Sequence, residues 1–176
     1  MSDSGGRPAH RGLSLLLGGC GAVAALLGWQ MLVPMLVADP GGASMAIRLG
    51  AACVALLPAA VVLAVMILAQ MALRFAAGVL DPLAGQETRL LRVNQRAIAN
   101  TVEQFAVFAP ALLALAAGLP GARMAEVAAL GIVFAAARLV FWLGYLVVPI
   151  GRAFGMAATL CASLGTLAAA IWTWLS

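Results

Sequence analysis

Long apolar stretches separated by short polar connections dominate the chain. Runs of about 20 apolar residues are long enough to cross the hydrocarbon core of a bilayer as an α-helix. The pattern predicts five such spans, which are Leu13–Val37, Met45–Ala77, Ala97–Leu119, Val127–Val148 and Ala153–Leu175. Because the apolar residues are continuous rather than alternating, they favour helices over the strands of an outer-membrane barrel. We therefore predict an all-α integral membrane bundle.

Composition agrees with a multi-pass membrane protein, since 65% of the 176 residues are hydrophobic and only 9% are charged. The first twelve residues form a polar tail, and the short connections leave no room for a separate soluble domain. A cleaved signal peptide is an alternative, because Leu17 to Cys20 resembles the cleavage box before a lipidated cysteine. The apolar run continues well past Cys20, which favours a retained first helix.

The net charge of +4 rests on arginine alone, because the chain contains no lysine. Loops on the cytoplasmic side of a membrane carry an excess of basic residues. When successive loops are assigned to alternate sides of the membrane, one large group of arginines lies on one side and only Arg48 and Arg123 lie on the other. We therefore predict that the N-terminus, the Asp81–Arg96 connection and the Pro149–Arg152 turn are cytoplasmic. The larger group comprises Arg7, Arg11, Arg74, Arg89, Arg92, Arg96 and Arg152. Because membrane topology explains this positive charge, we predict no nucleic-acid partner.

Several other features favour structural interpretations. Cys20, Cys53 and Cys161 lie singly in separate apolar runs, without the spacing of a metal site, and are interpreted as small buried hydrophobic residues. The four tryptophans, Trp142 among them, lie near or within span ends, where indoles commonly anchor helices at the membrane interface. Gly151 and Gly155 form a GxxxG pair compatible with close helix packing.

The segment RVNQRAIANTVEQF, which starts at Arg92, concentrates polar residues where the third span begins. At about 100° per helical residue, Arg92, Arg96, Asn100 and Glu103 fall within an arc of about 80°. Glu103 lies about 10 Å of helix rise beyond Arg96, inside the hydrocarbon layer, where an unpaired carboxylate is costly. We expect this stripe to meet a cation or a polar ligand.

The fourth span supplies a possible partner, because Arg138 shares a helical stripe with Tyr145, and Arg152 lies near the same face. Two interpretations remain open at this point. Glu103 and Arg138 could form a buried ion pair that fixes helix packing. Alternatively, the stripes could face a cavity and bind a ligand.

Two motifs resemble those of a known family. RVNQRAIANTVEQFAVF reads as R-A-x-x-N-x-x-E at the start of a transmembrane helix, and ARLVFWLGYLVVPIGR reads as R-x-x-(aromatic)-x-x-G-Y-x6-R in the next. Together they resemble the MAPEG family, the membrane-associated proteins of eicosanoid and glutathione metabolism, which includes microsomal glutathione transferases. The resemblance covers about residues 46–175, the four helices of the family. The chain looks like a bacterial-type member whose first span is an addition.

This resemblance implies a homotrimer with glutathione bound between neighbouring subunits on the cytoplasmic half. By the same resemblance, Arg152 is the catalytic arginine at the thiol. The glutathione-binding positions correspond to Arg74, Arg96, Asn100, Glu103, Arg138 and Tyr145, with Arg74 aligned only after a one-residue gap and Arg138 in a supporting role. Two residues depart from the family pattern, because Phe141 stands where several glutathione-using relatives have tyrosine, and Gln104 replaces an aromatic residue that often follows the glutamate.

The chemistry of glutathione suits these residues. Two carboxylates require guanidinium groups, the ammonium group requires a carboxylate, and a cation beside the thiol favours the reactive thiolate. We expect a transferase or peroxidase of the bacterial inner membrane that joins glutathione to a lipophilic electrophile from the bilayer, or reduces a lipid hydroperoxide. The alternatives are a non-catalytic lipid- or fatty-acid-binding protein of the same fold and a structural subunit of a larger membrane complex.

Overall fold

The computed structural model describes residues 6–37, 44–78, 87–147 and 152–176, and every long element within those ranges is an α-helix. The helices are α1 (Gly6–Leu32), α2 (Met45–Ala77), α3 (Arg89–Gly118), α4 (Met124–Val147) and α5 (Arg152–Leu175), with short 3-10 turns at Val33–Met35 and Gly121–Arg123. Each of these five helices is long and apolar enough to cross a membrane. The predicted all-α membrane bundle is confirmed.

Two helices begin earlier than the apolar pattern predicts. Helix α1 starts at Gly6, within the segment expected to be a polar tail, and α3 starts about two turns before Ala97. The hydroxyl oxygen of Thr88 caps α3 by accepting a hydrogen bond from the backbone N–H of Leu91 at 3.3 Å. The whole polar stripe from Arg92 to Glu103 therefore lies on one continuous helix.

Three predicted connections lie wholly or partly outside the described residues. They are the loop at 38–43, the segment 79–86 of the connection that includes Asp81, and the turn at 148–151. Within the described residues, the ends of the helices still establish which termini lie together. The end of α2 contacts the segment just before α3, and the end of α4 contacts the start of α5. We call this the site end of the bundle.

The interior consists of three apolar clusters. The largest joins α2, α3 and α4 and includes Ala170 of α5, and within it the rings of Phe108 and Phe134 stack with their centroids 4.2 Å apart. A second cluster, around Ala25 and Ala158, joins α1 to α4 and α5. The third lies at the site end and includes Phe141. Helix α1 packs mainly against α5 and less against α4, so it lies outside the group formed by α2–α5.

Close helix crossings depend on glycine at three positions, and at the first of them a Cβ built on Gly21 would overlap the backbone of Phe154, where α1 crosses α5. A Cβ built on Gly155 would overlap the backbone of Phe141, where α5 crosses α4, and a Cβ on Gly131 would overlap the backbone of Ala55, where α4 crosses α2. The packing role suggested by the GxxxG pair thus holds for Gly155, whereas Gly151 lies outside the described residues. These crossings bring the start of α5 within reach of the second half of α4.

We expect Gly155→Ala to destabilise the protein by about 1–3 kcal/mol, because the added methyl group must push two backbones apart. The change can be measured as the shift in thermal unfolding of detergent-solubilised protein. Gly50→Ala is the matched control, since a Cβ there meets nothing within 4 Å. An exposed Gly→Ala change inside a helix is expected to stabilise by about 0.5–1 kcal/mol. Equal melting temperatures for the two variants would contradict the packing role.

Candidate functional site

A cavity of about 320 Å³, lined in part by charged and polar side chains, opens at the site end between α3, α4 and α5. Arg96 and Asn100 line it from α3, Tyr145 from α4 and Arg152 from the first residue of α5. Phe141 forms part of the wall and packs against the ring of Tyr145, with the centroids 5.8 Å apart. The cavity therefore brings together four of the residues predicted from the sequence, contributed by three helices.

Arg152 lies over the aromatic face of Tyr145. The distance from the guanidinium carbon to the ring centroid is 5.0 Å, within the range of a cation–π contact. This contact holds the cation at the cavity wall, while the rest of the Arg152 side chain is exposed. The first turn of α5 adds its own unpaired N–H groups and the positive end of the helix dipole at the same place. The cavity thus has a strongly electropositive corner.

Arg138 lies behind the cavity and is completely buried. Its Nε donates to the hydroxyl of Thr159 at 3.1 Å, and its Nη1 donates to the side-chain oxygen of Asn100 at 2.9 Å. The ring of Phe141 covers the guanidinium at 4.2 Å. Its Nη2 has no hydrogen-bond partner among the described residues. Arg138 is therefore a buried cation without a paired carboxylate in the described structure, a costly arrangement that fixes its neighbours.

Asn100 connects Arg138 to Glu103. Its oxygen accepts from Arg138, so its Nδ2 group faces the other way and donates to Glu103 Oε2 at 3.5 Å. The direct Glu103–Arg138 ion pair considered from the sequence is not formed, because the Asn100 amide lies between the two charges. This relay sets the orientation of an amide that lines the cavity.

Glu103 is exposed although it lies within a membrane-spanning helix. The stripe to which it belongs faces outward, since Arg92 and Arg96 are also exposed, whereas Asn94 on the opposite side of α3 is completely buried. An exposed carboxylate at this depth is unfavourable in lipid. The stripe therefore has the character of a surface that binds something polar.

The geometry can now be compared with known proteins. The family model described as MAPEG family matches residues 50–172, well over half of the chain. The chain belongs to the MAPEG family. No curated protein shows significant sequence similarity to it.

Membership makes this a multi-pass integral membrane protein of a family associated with glutathione and eicosanoid metabolism. The matched residues contain nearly all of α2 and α5 together with the whole of α3 and α4, and they contain the entire candidate cavity. Helix α1 (Gly6–Leu32) lies outside the matched residues. The family core and the candidate site therefore coincide.

Arg74 stands apart from the other predicted site residues. Its Nη2 forms an ion pair with Glu87 Oε1 at 2.9 Å, and it does not line the candidate cavity. In this MAPEG chain Arg74 thus ties the end of α2 to the segment before α3, and its predicted glutathione contact stays a prediction.

Arg92, whose role the sequence left undecided, lies in a smaller neighbouring cavity of about 180 Å³. Arg89, Arg96 and Tyr145 line the same cavity. Because Arg96 and Tyr145 also line the larger cavity, the two spaces adjoin. Arg92 thus extends the electropositive surface of the candidate site rather than standing isolated on the helix.

A buried polar network next to the site was missed by the sequence analysis. Asn94 Nδ2 donates to the backbone oxygen of Met66 and to Gln70 Oε1, at 3.1 and 2.8 Å. Trp142 Nε1 donates to Asn94 Oδ1 at 2.6 Å. The interpretation of Trp142 as an interfacial anchor is wrong, because the side chain is only 8% exposed and bonds within the bundle. The signal available in the sequence was that Asn94 lies opposite the stripe, on the face that must be buried.

Proposed function

We propose that the protein is a glutathione-dependent membrane enzyme. The observation that carries the proposal is the convergence of Arg96, Asn100, Tyr145 and Arg152 on one cavity at the end of a membrane bundle. Glutathione has two carboxylates that need guanidinium partners, and its peptide groups need amide or hydroxyl partners. Arg96 binds a carboxylate, Asn100 and Tyr145 bind the peptide, and Arg152 lies beside the thiol.

Arg152 is the proposed catalytic residue. A thiol with a reference pKa of about 8.5 is mostly protonated at pH 7, and an adjacent cation favours the thiolate. The thiol proton leaves to water, and the sulfur then attacks a lipophilic electrophile that enters from the bilayer. A carbon–sulfur bond forms, and the leaving group departs with the electron pair of the broken bond.

With a lipid hydroperoxide, the same thiolate takes the terminal oxygen as the O–O bond breaks. The lipid leaves as an alkoxide, which is protonated to the alcohol, and glutathione becomes a sulfenic acid. A second glutathione then reduces the sulfenic acid, giving the disulfide and water. Both reactions require the same cavity and the same cation, so the cavity supports transferase and peroxidase chemistry equally.

The exposure of Glu103 supports a homotrimer in which neighbouring subunits complete the site. In that assembly the outward stripe of α3 faces the next subunit, and Glu103 receives the ammonium group of glutathione across the interface. Burial of the Glu103 carboxylate against the neighbouring subunit and the ligand removes the cost of exposing it to lipid. Orientation with the site end in the cytoplasm, at a bacterial inner membrane, gives access to soluble glutathione and follows from the arginine distribution.

A titration of purified protein with glutathione tests the proposal. Saturable binding accompanied by ultraviolet absorbance of the thiolate is the expected result. Glu103→Gln is expected to weaken binding about 10- to 100-fold, because a charge-assisted hydrogen bond contributes about 1.5–3 kcal/mol. Gln104→Glu serves as a control for charge at the neighbouring position. Co-purified lipid with no glutathione binding would instead support the non-catalytic lipid-binding alternative and reject the enzyme.

A further inference from the structure

A second and larger cavity lies between the added helix and the family core. It has a volume of about 540 Å³, and α1, α3, α4 and α5 all contribute to its wall. It opens toward the end of the bundle opposite the candidate site, where α3 ends and α4 begins. Its lining is almost entirely apolar, and the one ion pair in it joins Arg123 and Glu126.

The dimensions of this cavity correspond to one leaflet of a bilayer. Cys161 and Thr173 both line it, and the step of twelve residues from one to the other on α5 rises about 18 Å, close to half of a hydrocarbon core about 30 Å thick. A volume of about 540 Å³ spread over that length makes a long groove rather than a compact pocket. Its length and its apolar wall therefore suit a hydrocarbon chain that runs along α5.

The Arg123–Glu126 ion pair lies at the mouth of this cavity, near the membrane interface. Arg123 binds Glu126 through Nε and Nη2, both at 2.7 Å, and Nη1 of Arg123 makes no hydrogen bond to any residue that the structure describes. The Arg123 side chain is 52% exposed. Trp29 of α1 donates to the backbone oxygen of Glu126 at 3.2 Å, so the added helix is tied to the same mouth.

We propose that this cavity binds one acyl chain of a phospholipid from the leaflet opposite the candidate site, with the lipid phosphate on Arg123. The apolar wall accommodates the chain, and the unused N–H groups of the guanidinium suit a phosphate oxygen. The bound lipid fills the space between α1 and the core. It is independent of glutathione binding, because the two cavities share no lining residue and lie at opposite ends of the bundle.

Filling the cavity tests the proposal. Gly165 lines the cavity and a Cβ built on it meets nothing within 4 Å, so Gly165→Leu is the variant chosen to fill the space. Gly50→Leu is the matched control, because its Cβ also meets nothing within 4 Å and lies on α2, away from this cavity. Ala169→Leu is a second filling variant. Thermal unfolding in detergent and glutathione titration establish that each variant folds.

Delipidated protein is mixed with phosphatidylglycerol, phosphatidylethanolamine or diacylglycerol, and bound lipid is counted by native mass spectrometry. We expect wild type and Gly50→Leu to retain one phospholipid per chain and both filling variants to lose at least tenfold in affinity. Equal retention by the filling variants, or no retention by wild type, overturns the site.

The headgroup contact has a separate test. Diacylglycerol lacks the phosphate, so wild type is expected to bind it at least tenfold more weakly than either phospholipid. The double variant Arg123→Gln, Glu126→Gln removes the cation without leaving an unpaired carboxylate, and it is expected to bind all three lipids alike. If the double variant keeps the preference for phospholipid, the phosphate is not held by Arg123.

Discussion

Arg152→Ala is expected to lower turnover about 100-fold, the scale of losing one charge-stabilising group in an active site, while glutathione affinity changes by less than about threefold. The reason lies in the position of Arg152 at the electropositive corner, over Tyr145 and at the start of α5. Without this cation, the pKa of the bound thiol returns toward its reference value of about 8.5. Turnover and thiolate absorbance should therefore fall together.

The dependence of turnover on pH is expected to differ between wild type and Arg152→Ala. The proposed role of Arg152 predicts that wild type holds glutathione as the thiolate at neutral pH, so its turnover is expected to change little between about pH 7 and pH 9. In Arg152→Ala the thiol ionises only as the pH rises through about 8.5, so its turnover should climb over that interval. Arg89→Ala is the matched control, because Arg89 is also the exposed first residue of a helix but lines only the smaller cavity. Equal losses in the two variants would assign Arg152 a general electrostatic role.

Arg138→Met is expected to weaken glutathione binding about 10- to 100-fold without lowering the melting temperature. Replacement of a buried charge by an apolar side chain of similar size is often neutral or stabilising. The loss of glutathione affinity comes from Asn100, because Arg138 holds the Asn100 amide with its oxygen toward the guanidinium and its Nδ2 toward Glu103. Without that bond the amide is free to turn, and the contacts it offers to glutathione are lost.

A loss of glutathione affinity in Arg138→Met at an unchanged melting temperature would identify Arg138 as a positioning residue. Arg138→Lys should restore part of the affinity, since an ammonium group can donate to Asn100 but lacks the planar fork that also reaches Thr159. Trp142→Phe, one turn further along α4, is the control. It breaks the bond to Asn94 and should lower the melting temperature with little selective effect on affinity. A parallel loss of both quantities in Arg138→Met would mean that Arg138 acts only in folding.

The sequence was sufficient to predict the helices, since crossing a membrane requires apolar runs that few other structures contain. It was less informative about where helices begin, because a hydropathy pattern does not detect polar helical turns such as those from Arg89 to Arg96. The stripe on α3 was predictable because residues on one helix have a fixed angular spacing. Two motifs then indicated the family.

Contacts between helices could not be obtained in the same way. The partner of Arg138 depends on how α3, α4 and α5 cross, and that crossing brings Asn100 and Thr159 to it while leaving Glu103 one hydrogen bond away. The ion pair of Arg74 with Glu87 likewise depends on how the segment before α3 meets α2. Periodicity along one helix carries no information about either arrangement.

The packing of α1 against α5 has a consequence for biosynthesis. Helix α1 is synthesised before its main packing partner α5, and about 140 residues separate the C-terminal ends of the two helices, a synthesis delay of roughly 7–30 s. During that interval α1 has only lipid and the growing α2–α4 segment around it. In ribosome-bound chains that stop before α5, a photocrosslinking residue placed at Ala25 should therefore react with lipid or other protein, whereas in chains that include α5 it should crosslink to α5.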